Sequence, residues 1–253
     1  MTKHEATSAQ GRVGTWVAGW MIPVLAMFCM GATCDVETIF SATFEADANG
    51  APPSTAQTVG TVRIQKGAGS VIVVPSPVPV TTPDKWVRIS HPTAVSPETA
   101  FLVDATRTPG NGTTSLLATL MIPTPGPRPN PAVARALATV QFESALPDGQ
   151  SGAFMHLDFM DNGTIRIDDD PGASFGTYPF GQPFTLSVSN EVTPSAATAH
   201  ISLLSPAEGQ VDHPIDFVAT ARRFNSVRFW IGFQFASSFF VDDITMLHAP
   251  PAP

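Results

Sequence analysis

The sequence predicts an all-β fold, a single antiparallel β-sandwich, and three observations carry that expectation. Short apolar or alternating runs recur along almost the whole chain, separated by Gly/Pro-rich turns. No window offers a sustained helical stripe; residues 132–138 come nearest and are better taken as the entry to a strand. Finally, the alternating stretch at 239–246, near the C-terminus, has a natural partner about two hundred residues upstream, at 39–47. Pairing first strand with last closes one sandwich and brings Glu45 near Asp242 and Asp243.

Composition sets the outer bounds. The chain has 253 residues, the length of one large all-β domain or two small ones, and with 43% hydrophobic and 13% charged residues it has enough material for a core; the pairing of the ends argues for one domain. Its 25 prolines and 19 glycines fall between apolar runs, which suits many turns better than disorder. The net charge of −8 and the scarcity of lysine (Lys3, Lys66 and Lys85) exclude a nucleic-acid partner, which needs clustered basic side chains.

Residues 1–34 differ from the rest. Lys3 and Arg12 precede an apolar run at 16–30 that contains Pro23, and the small residues Gly31, Ala32 and Thr33 lead into Cys34. A basic start, a short apolar stretch and small residues form the layout of an export signal or membrane anchor. The segment resembles a bacterial lipoprotein signal, which implies lipidation at Cys34; plain cleavage and an uncleaved anchor are the alternatives. Both cysteines, Cys29 and Cys34, lie here, so residues 35–253 carry no thiol chemistry. The expected organisation is a signal or anchor at 1–34, one sandwich domain at 35–249 and a short tail at 250–253. The expected location is the cell envelope or the extracellular space.

Taken in order, the expected strands are 39–47, 58–66, 70–74, 85–90, 100–106, 115–122, 134–144, 152–160, 163–168, 183–190, 198–205, 215–221, 226–234 and 239–246. Prolines 75, 77, 79 and 83 confine the stretch between the third and fourth to a loop or edge. The proline tract at 123–131 makes an extended surface connection.

The turn Asp161-Asn162-Gly163 allows register to be decided. A two-residue loop would set Phe159 beside Arg166 and mix the faces. A three-residue loop with Gly163 in the left-handed position pairs Phe159 with Ile165, Asp158 with Arg166, Leu157 with Ile167 and His156 with Asp168. Carrying the alternation forward gives one sheet face bearing His156, Asp158, Arg166, Asp168, Thr185, Ser187, His200 and Ser202. That face is the candidate binding surface for a hydroxyl-rich ligand; as a merely solvated face its charge pairs contribute about 0.2–1 kcal/mol each. Of the two tryptophans beyond the leader, Trp230 lies in an apolar run and is expected in the core, which leaves Tyr178 as the candidate stacking edge.

The run at 175–186, with the strand after it, and the closing Val241-Asp242-Asp243-Ile244 resemble jelly-roll domains of the concanavalin A-like lectin and glucanase group. The resemblance implies a glycan-binding fold. Some glucanases of that group carry Glu-x-Asp-x-x-Glu on one strand, where this chain has His156, Asp158 and Asp161. A His in the nucleophile's place does not serve a retaining hydrolase, which needs two carboxyls flanking the bond. The expected function is therefore non-catalytic, glycan or surface-partner binding; a structural or adhesion module and a carbohydrate-active enzyme are the alternatives. Many jelly-roll modules also hold calcium where the chain ends meet, making Glu45, Asp242 and Asp243 candidate oxygen ligands for a structural calcium ion.

Overall fold

The computed structural model describes residues 35–65, 67–92, 97–127, 134–145, 151–167, 170–194, 197–205, 209–217, 223–232 and 236–251. Residues 1–34, Cys34 among them, and Asp168 lie outside them. Fifteen strands are formed: β1 (Glu37–Ala42), β2 (Thr61–Gln65), β3 (Ser70–Pro75), β4 (Lys85–His91), β5 (Thr99–Asp104), β6 (Gly112–Met121), β7 (Ala136–Ala145), β8 (Ser151–Met160), β9 (Thr164–Ile167), β10 (Asp170–Thr177), β11 (Phe184–Val192), β12 (Ala197–Ser205), β13 (Gly209–Phe217), β14 (Ser226–Ile231) and β15 (Ser237–Ala249). No described residue is helical, and among the described residues no helix is long and apolar enough to cross a membrane.

Two antiparallel sheets face one another. The eight-stranded sheet runs β13-β12-β11-β6-β15-β4-β3, with β1 added beside β15; the seven-stranded sheet runs β10-β9-β8-β7-β14-β5-β2. Apolar side chains from alternate positions fill the space between them. Phe101, Val140, Leu157, Ile165 and Phe229 come from one sheet, and Val87, Leu116, Leu186, Val188 and Ile201 from the other, all fully buried. Aromatic edges knit this core: Phe44 meets Phe101 at 5.9 Å and Phe159 meets Tyr178 at 5.3 Å, both T-shaped.

First and last strands pair antiparallel, from Glu37 opposite His248 to Ala42 opposite Ile244. β1 ends at Ala42, five residues earlier than the alternation predicts, so Glu45 sits in the turn beyond. The hairpin forms with the three-residue loop: Leu157, Asp158 and Phe159 stand opposite Ile167, Arg166 and Ile165, and Gly163 takes φ 86°.

Two differences have plain physical causes. β10 is a strand where a loop over 168–182 is expected, because Pro171, Gly172 and Gly176 hide its pattern; as the sheet's outermost strand it tolerates them. β13 runs Gly209–Phe217 rather than 215–221 and carries Pro214, again on an edge. The larger correction concerns the single polar face. β8 and β9 belong to the seven-stranded sheet, whereas β11 and β12 belong to the eight-stranded one. Thr185, Ser187, His200 and Ser202 therefore stand on the far side of the sandwich from His156, Asp158 and Arg166.

Candidate functional site

Two regions concentrate the polar chemistry. The first is the outer face of the seven-stranded sheet. On β14, Val227, Phe229 and Ile231 point into the core, so Ser226, Arg228 and Trp230 point out. Register then sets Gln65, Ala100, Trp230, Thr139, Asp158 and Arg166 in one row across six strands. A second row runs Arg63, Leu102, Arg228, Gln141 and His156.

Hydrogen bonds lock this face. Arg63 grips Asp104 through two bonds, of 2.5 and 2.7 Å. Arg228 pairs with Glu98, donates to Gln65 at 2.9 Å and lies 5.5 Å from the Trp230 ring centroid. Thr139 donates to Asp158 at 2.6 Å, and Gln141 to Glu143 at 3.0 Å. Asp158, Thr139 and Glu143 are buried although they point away from the core. Trp230 is half-buried on this face rather than in the core where the sequence reading put it, because its neighbours Phe229 and Ile231 take the inward positions. Sequence reasoning missed Trp230, Arg228, Arg63 and Glu143; the alternation of β14 (Val227, Phe229 and Ile231 in) was the signal that could have found the first two.

The second region is the junction of the chain ends. β15 carries an irregularity between Asp242 and Thr245, where Asp243 adopts φ 49°. The irregularity switches the inward alternation from Phe239 and Val241 to Ile244 and Met246, which is why two aspartates stand side by side. Asp242 is 2% exposed, and its Oδ1 has no hydrogen-bond partner. Oxygens of Glu45, Asp84 and Asp242 all lie within 4.8 Å of one another. Burial, then the charges of Asp243, Asp84 and Glu45, push the Asp242 carboxyl up to about 9; Asp243 is also raised, by burial and by Asp84 and Glu45. The site is held from outside the cluster: Lys85 Nζ donates to the Glu45 and Asp47 carbonyls at 2.7 and 2.6 Å, and Trp86 Nε1 to Asp84 at 2.7 Å. Three converging carboxylates, one buried with an unpartnered oxygen, form an all-oxygen donor set of the kind a hard divalent cation takes. Asp84 enters this set although the sequence reading lacked it, and Asp243 lies next to it rather than within it.

The remaining candidates fall elsewhere. Tyr178 is 4% exposed; its hydroxyl donates to Met160 O at 2.6 Å, and burial pushes its phenol up, so it is a core residue and not a stacking edge. His200 is exposed on the opposite sheet. Asp168, expected opposite His156, and Cys34, expected to be lipidated, are outside the described residues.

The fold is that of concanavalin A-like jelly rolls. The endo-β-1,4-glucuronan lyase of the fungus Trichoderma reesei superposes with a TM-score of 0.53 at 10% identity, over 85% of this chain and 96% of that one. The exoplasmic/lumenal domain of VIP36, in a metal-free form, gives 0.50 at 11% identity, over 86% and 95%. No protein-family model and no curated protein sequence matches the chain.

Proposed function

We propose that the protein is an exported, non-catalytic glycan-binding sandwich whose chain ends are clamped by a calcium ion. The observation that carries the binding reading is the outer face of the seven-stranded sheet. There Thr139, Gln141, Glu143, His156, Asp158, Arg166 and Arg228 stand in register with an indole among them. Orientable amide, hydroxyl and carboxylate groups beside an aromatic ring suit the hydroxyls and C–H faces of a sugar. The non-catalytic reading is supported by His156 and Asp161 standing where the glucanase pattern needs Glu, and by the bond between Arg135 N and Asp161 Oδ1 at 3.0 Å.

Glu45, Asp84 and Asp242 are the residues that would hold the calcium ion. The ion supplies the positive charge their mutual repulsion calls for, and so ties β15 to the turn after β1. Export rests on the basic and apolar leader, with Cys34 as its lipid-bearing residue.

A glycan array with the full chain, followed by titration of each hit against Asp158→Ala, tests the binding. Loss of affinity by about tenfold is expected, in the range of hydrogen bonds to charged groups. An array without hits leaves a structural module in its place. Palmitate labelling that Cys34→Ala abolishes is expected for the anchor; labelling that persists in that variant removes it.

A further inference from the structure

We infer that the glycan taken by this face is an electrically neutral chain seated on Trp230, and that polyuronates are excluded. The inference rests on the glycan-binding reading above and specifies the ligand class. Charge is the first argument. Among the described residues of the face three arginines, Arg63, Arg166 and Arg228, meet four carboxylates, Asp104, Glu98, Glu143 and Asp158. Two of the arginines are already committed, Arg63 to Asp104 and Arg228 to Glu98, and Arg166 stands opposite Asp158. The face is thus balanced within itself and slightly negative, on a chain whose net charge is −8. Arg166 makes no ion pair among the described residues, yet the sum over the face stays negative, so a polymer with a carboxylate on every residue would meet no net positive field and would be repelled at long range.

The second argument is the platform. Of the described indole and phenol side chains, Trp86 and Tyr178 are buried and Trp230 is not. Trp230 stands mid-row, with the small residues Ala100 on one side and Thr139 on the other, and the Arg228 guanidinium lies over its ring, 5.5 Å from the centroid. Its Nε1 and the Nε of Arg228 have no acceptor within the protein. Both N–H groups are buried donors at the indole, with Arg228 held by Glu98 and Gln65. The row itself spans six strands, about 24 Å at the usual strand spacing, which is the length of several sugar units rather than one.

The test is a binding titration of the full chain against two sets of soluble polysaccharides. One set is neutral: (1→3)- and (1→4)-linked glucans, xylan and mannan. The other is acidic: polyglucuronate, polygalacturonate and polymannuronate. At least one neutral polymer is expected to bind about tenfold or more tightly than every acidic one, with less than about a twofold change between roughly 20 and 500 mM NaCl, since little charge is there to screen. Trp230→Ala should weaken that binding about tenfold, while Trp230→Phe, which keeps an aromatic platform, should stay within about threefold of the wild type. The double variant Glu98→Gln/Asp104→Asn frees two arginines and should raise polyuronate affinity at least about fivefold. Tighter binding of an acidic polymer by the wild type, collapsing with salt, overturns the inference while leaving the glycan reading intact. Binding by neither set brings down the glycan reading and this inference with it.

Discussion

The two polar regions of this sandwich treat charge in opposite ways. On the outer face of the seven-stranded sheet, Arg63 and Arg228 hold Asp104 and Glu98, while Thr139 and Gln141 donate to Asp158 and Glu143. At the junction of the chain ends, Glu45, Asp84 and Asp242 converge with Asp243 beside them, and Lys85 donates its ammonium to backbone carbonyls instead. The first region holds most of its charges in internal pairs, leaves the Trp230 Nε1 and Arg228 Nε donors without an acceptor among the described residues, and presents no net positive field. The second is a concentration of negative charge that becomes favourable only with an added cation. Buried polar groups mark function in both, but they ask for different partners.

The largest expected effect comes from supplying the missing cation. Calcium at a hundredfold excess over its dissociation constant adds about 2.7 kcal/mol to the folded state. For a domain of this size that corresponds to a rise in melting temperature of about 5–10 °C over chelator-treated protein. A calorimetric melt indifferent to calcium removes the contrast between the regions. The next effect sharpens it. Because burial and like charges raise the Asp242 carboxyl to about 9, its contribution without metal is favourable in acid and is lost as pH rises from about 4 through about 9. Chelated wild type should therefore melt progressively lower across that window. Asp242→Asn should melt several degrees higher than wild type at pH 8 in chelator and gain nothing from calcium. A variant that still responds to calcium puts the ion elsewhere.

Breaking the paired region should have a comparable effect. Thr139→Val removes the donor to Asp158, a hydrogen bond to a charged group worth about 1.5–3 kcal/mol, and should lower the melt by roughly 3–12 °C without altering the calcium shift. Coupling between the two effects would show that the regions are not independent. The smallest effect lies outside both. His248 is 4% exposed, at hydrogen-bond distance from Thr114, and burial with the Arg107 charge depresses its pKa. A depressed base contributes stability that is full above its unfolded pKa, near 6.5, and declines as pH falls below it. His248→Gln should flatten the acid side of the melting curve by a degree or two; an unchanged acid limb assigns that decline to other groups.

Much of this was legible from local chemistry. Gly163 fixed the hairpin register because a left-handed residue in a three-residue loop is the arrangement that sorts both faces. The pairing of first and last strands followed from their matched alternation. What alternation does not carry is the sheet to which a strand belongs. β8–β9 and β11–β12 have the same in–out parity in either arrangement, so their polar sides looked like one surface. Asp84 was hidden for a related reason: its approach to Asp242 depends on β4 lying along β15, with Val87 opposite Val241, a contact across more than 150 residues. Trp230 was lost to the weight of its apolar neighbours, although strict alternation from Val227 places it outside. Taking 239–246 as one alternating run passed over the paired aspartates at 242–243, where the strand carries the irregularity that shapes the acidic junction.

The most direct test of the account is hydroxyl-radical footprinting of the full chain with and without a bound neutral glycan, read at Trp230, His156 and His200. Trp230 and His156 lie on the outer face of the seven-stranded sheet, and His200 is exposed on the other sheet. The account predicts protection of Trp230 and His156 on binding, with His200 oxidised at an unchanged rate. Protection of His200 while Trp230 remains as reactive as in the free protein would contradict it.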